Sequence, residues 1–337
     1  MKKLFSIIAL AAALFCFAAC GPADTQQKPG PGPEPEEPPQ TVTASEETIV
    51  TLFNGSAVPQ VMDSASCCII EDSGKLIVID TGMKTDNDVT AEKITQFLRK
   101  KGYSRIDYLI LTHAHLDHCG GMWYMIDRFD IGEYYYKPCA DYSMTNYPNA
   151  EKYFNELAEL VQEKTNTDGT KPVLTVPEQE ITKVDICETS AFTIYYRQAV
   201  YDNDPSMVTG TDSSGKSIID YNSYSFGVKF QSKNVSVYYG GDALNSLDAV
   251  LIGDVGKCQI MVAPHHGTSG PYSSQALLNE VQPEYTVVQG LNRNFGADTK
   301  ARYEAIGTKI YTNEDYGTVI FTAKDGQISV KTEKTPD

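Results

Sequence analysis

The chain has 337 residues, 41% of them apolar, which is enough to bury one large core. Its formal charge of −16 repels a long polyanion unless bound metal or a local basic strip intervenes, so broad nucleic-acid binding is disfavoured. Eight cysteines without C-x-x-C spacing argue against a cysteine-only metal site and identify no disulfide.

In chain order, Lys2 and Lys3 precede an apolar run from Leu4 to Phe17, which ends in Ala18-Ala19-Cys20. That pattern reads as an export signal, too short for a comfortable membrane span. Small residues directly before Cys20 resemble the lipobox of bacterial lipoproteins. The resemblance implies a lipoprotein signal peptide at 1–19, lipidation of Cys20, and an exported protein anchored to a membrane on its periplasmic or outer side. Residues 20–45 are rich in Pro, Gly and Glu and have no apolar periodicity, so they are expected to form an extended tether. Residues 46–337 are expected to form a single domain.

Within that domain β-rich runs alternate with helical patterns. Strands are expected at Thr48–Leu52, Cys67–Glu71 and Leu76–Asp80, with Asp72-Ser73-Gly74-Lys75 as a hairpin turn between the last two. A helix over Asp86–Lys101 precedes a buried strand at Tyr108–Leu111, and a second helix covers Ala150–Lys164. Further strands fall at Ala191–Gln198, Phe226–Phe230 and Val235–Tyr239. A closing series has strands at Ile260–Ala263, Tyr285–Val288 and Lys309–Tyr311, helices at Ser273–Glu280 and Thr299–Ile306, and the pair Gly317–Thr322 and Gln327–Lys331. Pattern alone supports an α/β or α+β chain with its site at strand carboxyl ends.

All five histidines fall in two clusters, T-H-A-H-L-D-H (His113, His115, His118) and A-P-H-H-G (His265, His266). Imidazole is a common ligand for borderline-soft ions, and His/Asp mixtures suit zinc. His113 and His115 are spaced to face one ion, while Asp117 and His118 follow closely enough to serve a second.

These residues resemble the metallo-β-lactamase-fold superfamily. The resemblance rests on Ile79-Asp80-Thr81-Gly82, His113 to His118, Gly241-Asp242, Pro264-His265-His266-Gly267 and the terminal strand–helix series. Asn222-Ser223-Tyr224-Ser225, G-G-D-A and A-P-H-H-G-T-S are similar to the hydrolase domain of ComEC-type competence proteins and to phosphorylcholine esterases. The family implies an α+β fold, a four-layer αββα sandwich, and two divalent ions, with zinc expected and manganese the alternative. His113 and His115 match ligands of the first ion; Asp117, His118 and His266 match those of the second; Asp242 matches the bridge. His266 is preferred to His265, which is left facing substrate, and Asp80 matches an aspartate that orients the histidine loop.

One departure is the missing third histidine of the first ion, since none lies between His118 and His265. Asp202, Asp204, Asp220, Tyr221 and Asn222 are the candidate replacements, and water or a substrate oxygen is the alternative, which would make that site weak. A second departure is Phe295-Gly296-Ala297-Asp298, where the branch often reads G-H-P.

The implied activity is hydrolysis by a metal-bridging hydroxide, with Asp117 orienting it and His265 donating to a substrate oxygen. A phosphodiester or phosphorylcholine-like small ester is the expected substrate. The alternatives are carboxyl-ester, lactone or β-lactam hydrolysis, or a non-catalytic metal- or ligand-binding lipoprotein. Tyr134, Tyr135, Tyr136, Tyr142 and Tyr147 read either as a stacking surface for substrate or as core and loop tyrosines. No protein partner is inferable.

Overall fold

The computed structural model describes residues 46–54, 65–83, 89–138, 150–202, 204–211, 215 and 217–336. The expected signal, Cys20 and the tether lie outside them, as do Cys139, Tyr142 and Tyr147. Among the described residues no helix is long and apolar enough to cross a membrane.

Among the described residues two large sheets make up most of the domain, beside a two-stranded ribbon of Gly210–Thr211 and Ser217–Ile218. Across the first, the strands run Gln327–Thr332, Val319–Lys324, Thr48–Leu52, Cys68–Asp72, Lys75–Ile79, Arg105–Ile110, Asp130–Tyr135 and Val173–Thr175. Across the second they run Lys309–Thr312, Tyr285–Val288, Ile260–Val262, Ser236–Tyr239, Gly227–Ser232, Ser190–Tyr195 and Ile181–Cys187. Each sheet is antiparallel over one half and parallel over the other. The parallel halves are Lys75–Ile79 to Val173–Thr175 in the first and Ser236–Tyr239 to Lys309–Thr312 in the second.

The reason for two layers can be read along one strand. In Leu76-Ile77-Val78-Ile79 all four residues are buried, because successive side chains leave opposite faces and both faces are covered. Ile77 and Ile79 meet Phe226, Val228, Val237, Tyr239 and Ile260 between the sheets. Leu76 and Val78 face outward into a core shared with Ile94, Leu98, Met122, Met125 and Leu157 of the covering helices. On the far side Tyr238 and Met261 pack under Leu247, Leu251, Leu277, Leu278 and Tyr303. The order helix, sheet, sheet, helix is the four-layer αββα, α+β arrangement. Each fully buried aliphatic or aromatic side chain contributes about 1.5–3 kcal/mol relative to exposure.

The expected elements appear with shifted ends. The first helix is described from Val89 to Lys100, and the hairpin turn uses positive φ at Ser73 and Gly74. Strands Asp130–Tyr135, Val173–Thr175, Ile181–Cys187, Gly210–Thr211 and Ser217–Ile218 escape the sequence reading. Ile181–Cys187 is an edge strand whose residues alternate between exposed and half-buried, so none of them marks a core face. Gln198, expected to end a strand, instead starts a short helix, Gln198–Tyr201. Tyr134 and Tyr136 stack on each other at 5.2 Å in the outer core, and Tyr135 points between the sheets. Both faces of their strand are covered, so this run is core rather than a platform for substrate.

Candidate metal centre

The site forms where the parallel halves of both sheets end. Strand Arg105–Ile110 continues through Leu111 and Thr112 to His113, and His115 precedes the short helix Leu116–Cys119 that carries Asp117 and His118. In the second sheet, Ser236–Tyr239 runs into Gly240-Gly241-Asp242, and Ile260–Val262 into Ala263-Pro264-His265-His266. Asp80 follows Lys75–Ile79.

Close backbone approaches hold these loops together. The Thr81 amide donates to His118 O at 2.7 Å, and the Ser66 amide to Asp117 O at 3.0 Å. A Cβ on Gly121 would lie 2.1 Å from the Thr81 carbonyl oxygen, so only glycine fits there. Gly241 has φ +50, and a Cβ there would lie 2.4 Å from Ser225 Oγ, the atom that accepts the Asp242 amide at 3.0 Å.

All five histidines converge on Asp242, and Asp117 joins them through His118 and His266. Asp242 Oδ2 is 3.5 Å from His113 Nε2, 4.0 Å from His115 Nδ1 and 3.7 Å from His265 Nε2. Its Oδ1 is 3.1 Å from His118 Nε2 and 3.6 Å from His266 Nε2. Asp117 Oδ2 lies 3.1 Å from His266 Nε2 and 3.9 Å from His118 Nε2. Ligand atoms of His113, His115 and Asp242 lie within 4.8 Å of one another, and so do those of Asp117, His118 and His266.

Three of these imidazoles have their tautomer fixed from behind. His118 Nδ1 donates to Asp80 Oδ2 at 2.7 Å, and His266 Nδ1 donates to the Gln289 carbonyl at 2.7 Å. The Thr112 hydroxyl donates its one proton to Asp80, so its oxygen accepts from His113 Nδ1 at 3.0 Å. Each Nε2 is therefore left to face the site. Although buried and near carboxylate oxygens, His113 Nε2, His118 Nε2, His266 Nε2 and Asp242 Oδ1 have no hydrogen-bond partner. Nitrogen and oxygen that lie close together without pointing at each other are aimed at a common third point, as ligands of one ion are. The residues fit a divalent cation pair.

Electrostatics agrees with this donor set. Burial pushes the His113 imidazole down to about 4, so it is neutral at pH 7. Burial acts the same way on His118 and His266, but it is outweighed. The Asp242, Asp80 and Asp117 carboxylates hold His118 well above its ordinary value, and Asp242 and Asp117 raise His266. Burial would raise Asp117 and Asp242, yet His118 and His266 beside them hold both carboxyls below the usual range.

Sequence reasoning named every residue of the two clusters and the orienting aspartate, Asp80. It missed Thr112, Tyr239, whose hydroxyl donates to Asp80 at 2.9 Å, and Gln289. Gln289 also sits at a parallel strand end, the one signal that would have found it. Of the candidate replacements for the third histidine, Asp204 caps the Ser206 amide, Asp220 accepts the Asn222 amide, and Asp202 accepts from Gln198. None of these aspartates joins either cluster. Tyr221 is buried, with its ring centroid 6.1 Å from that of His115. Asn222 alone reaches the histidines, with Nδ2 3.3 Å from His265 Nε2. Phe295 lies against Gly267, at the foot of the His265-His266 turn.

A family model described as the metallo-beta-lactamase superfamily matches residues 62–290. Over 63 residues the chain is 33% identical to Endoribonuclease YSH1 of Mycosarcoma maydis, covering 19% of this chain and 7% of that protein. Over 61 residues it is 38% identical to an uncharacterized protein of Methanocaldococcus jannaschii, covering 18% of this chain and 22% of that protein. The matches thus span less than a quarter of the length of these curated relatives. Among solved structures it is similar to the metallo-beta-lactamase fold protein YhfI from Bacillus subtilis, with 13% identity and a TM-score of 0.47, over 85% of this chain and 100% of that one.

Proposed function

The chain belongs to the metallo-beta-lactamase superfamily, and we propose that it is a metal-dependent hydrolase of a phosphodiester or phosphorylcholine-like ester, exported and held at a membrane by a lipid on Cys20. His113, His115 and Asp242 would hold one divalent ion, and Asp117, His118 and His266 a second, with Asp242 shared. The mixture of imidazole and carboxylate suits zinc, with manganese the alternative. Bound there, such a pair supplies a water of lowered pKa as nucleophile and polarises the oxygens of the ester.

The division of Asp242 carries this reading, because Oδ2 serves one cluster and Oδ1 the other. Asp117, held ionised by His118 and His266, orients the attacking water and accepts its hydrogen bond. His265, a quarter exposed, faces the open side, where a substrate oxygen arrives. A phosphodiester is favoured over a carboxyl ester because paired cations match charge developing on two in-line oxygens. The 63-residue likeness to an endoribonuclease supports the same bond type. A charge of −16 favours a small ester over long nucleic acid.

The test is turnover by the full chain reconstituted with Zn²⁺ or Mn²⁺, on bis-p-nitrophenyl phosphate, p-nitrophenyl phosphorylcholine and nitrocefin. Phosphodiester hydrolysis that falls about 100-fold or more in folded Asp242→Ala is the expected result. Turnover of nitrocefin or a lactone without phosphodiesterase activity assigns the carboxyl-ester alternative. Metal uptake with no turnover assigns a binding lipoprotein.

A further inference from the structure

A sheet can still pair at its edges, and the second sheet ends on a long one. Ile181–Cys187, with seven residues, is the longest strand among the described residues, and no described strand pairs with its outer side. Natural proteins keep such edges short or charged, because unpaired amides and carbonyls invite another strand. Residues 176–180 join this edge to Val173–Thr175, the edge of the first sheet. Val173, Val176 and Ile181 make up half of the exposed large apolar side chains among the described residues, and all three lie on these two edges or their link.

The strand carries a self-complementary charge pattern. Thr182, Val184 and Ile186 are half-buried, with Val184 and Ile186 packed on the core between the sheets, while Ile181, Lys183, Asp185 and Cys187 are exposed on the other face. Lys183 Nζ and Asp185 Oδ1 lie 2.6 Å apart along the strand, with side chains 64% and 71% exposed. Across the neighbouring strand they face Thr193 and Ala191, which offer no charge on that side.

Two identical edges that close into one sheet pair antiparallel about a two-fold axis normal to it. Facing residues share a face, so a residue can oppose only one of the same parity. An axis at Lys183 sets that lysine against its own copy, and an axis at Asp185 does the same to the carboxylate; like charges directly opposite repel. An axis at Val184 instead sets each Lys183 against Asp185 of the second copy. Four charges then alternate in sign around a square. Axes nearer the strand ends shorten the overlap, and the register shift between Asp185 and Cys187 lies beyond the central pairs. The same axis keeps both first sheets on one side, which brings Val173 and Val176 of the two copies alongside. The other long edge, Gln327–Thr332, has Lys331 and no acid, so no register of it pairs opposite charges.

We propose that Ile181–Cys187 is a self-association edge, where a second copy of the chain pairs antiparallel across Val184 and joins two seven-stranded sheets into one. A strand from another protein would have to bring the complementary charges, whereas this chain supplies its own. The metal centres stay separate. Ile181 faces Tyr195, Tyr195 faces Gly227, and the Phe226 amide donates to Thr112 O of the histidine loop, so each centre lies at the Ile181 end of its own strand. Antiparallel pairing puts the two centres at opposite ends of the joint sheet.

The experiment is sedimentation of the full chain over a concentration series, with far-UV circular dichroism as the control for folding. Wild type sediments as a dimer. Lys183→Asp and Asp185→Lys each place like charges across the axis twice over and weaken the dimer by about 10- to 100-fold. An equimolar mixture of these two variants restores it, because every charge on one chain then meets its opposite on the other. The double variant, Lys183→Asp with Asp185→Lys, also restores it. Both positions are exposed, so all the variants keep the wild-type dichroism. A wild type that stays monomeric, a dimer indifferent to the single changes, or a mixture that fails to recover would each overturn the proposal.

Discussion

Asp80 Oδ2 and His118 Nδ1 lie 2.7 Å apart in full burial, so the carboxylate fixes which His118 nitrogen faces the site. The same carboxylate accepts from the Thr112 amide, the Thr112 hydroxyl and Tyr239 Oη, tying the loop of the first sheet to a strand of the second. Asp80→Asn keeps the shape but puts an amide NH2, itself a donor, where at least two donors already point. Zinc affinity should fall by about 10- to 100-fold, and thermal stability by about 1–3 kcal/mol for the donor left unpaired. Zinc calorimetry with a melting curve checks both. Unchanged zinc affinity in the folded variant would show that Asp80 does not orient His118.

Much of this centre was legible because its chemistry is concentrated in the sequence. His113, His115, Asp117 and His118 fall within six residues after an apolar strand, and Asp242 and His266 follow strands of the same kind. Side chains that act through shape carry no such signature. Thr112 and Gln289 are ordinary polar residues until the tertiary fold sets them behind His113 and His266. Tyr134 to Tyr136 left a core and a stacking reading both open, since an aromatic run looks the same whether one face of its strand is covered or both.

Metal uptake should release protons. Neighbouring carboxylates hold His118 well above and His266 above the ordinary imidazole value in the metal-free protein, which favours a proton on the Nε2 that a metal ligand must expose. Metal binding near neutral pH should displace protons, and apparent affinity should rise with pH and fall in acid. The same shifts govern the apo protein. A raised folded pKa contributes stability that is complete below the unfolded value near 6.5 and is lost as pH rises through the folded value. His113 acts oppositely, because below about pH 6.5 the unfolded chain takes a proton that the folded one, held near 4, refuses. Apo protein should therefore lose stability on the alkaline side, and zinc should remove that loss. Calorimetry in buffers of different ionisation enthalpy counts the protons; no buffer dependence would contradict the assignment.

Cys187 should be the reactive thiol among the described residues. Ser190, Thr189 and Ser73 hydroxyls surround its exposed sulfur, with Ser190 Oγ at 3.1 Å, and hold it down to about 6. It is mostly thiolate at pH 7. Burial pushes Cys258 up to about 12 and raises Cys67 and Cys68, which keeps them as thiols. Iodoacetamide at pH 7 should label Cys187 ahead of Cys67, Cys68 and Cys258, with a rate half-maximal near pH 6. Ser190→Ala should move that midpoint towards the ordinary thiol value of about 8.5. Peptide mapping after brief labelling decides it, and a wild-type midpoint already near 8.5 would remove the role given to the hydroxyls.

Gly121→Ala tests whether the histidine loop depends on backbone contact with the Asp80 turn. The new methyl would sit 2.1 Å from Thr81 O and 3.2 Å from Ala91 Cβ, and the nearer neighbour is main chain that cannot rotate away. That main chain is pinned in turn, with the Thr81 amide on His118 O at 2.7 Å and the Gly121 amide on Gly82 O at 3.1 Å. Relief requires the two turns to part, at a cost of about 1–3 kcal/mol or more, against a typical net stability of about 5–15 kcal/mol. The movement would carry His118 away from Asp80, so zinc affinity should fall with the melting temperature. Gly210→Ala, whose added Cβ meets nothing within 4 Å, should stay within about 0.5 kcal/mol of wild type. A Gly121→Ala protein that melts and binds zinc like wild type would show that the loop holds its place without this contact.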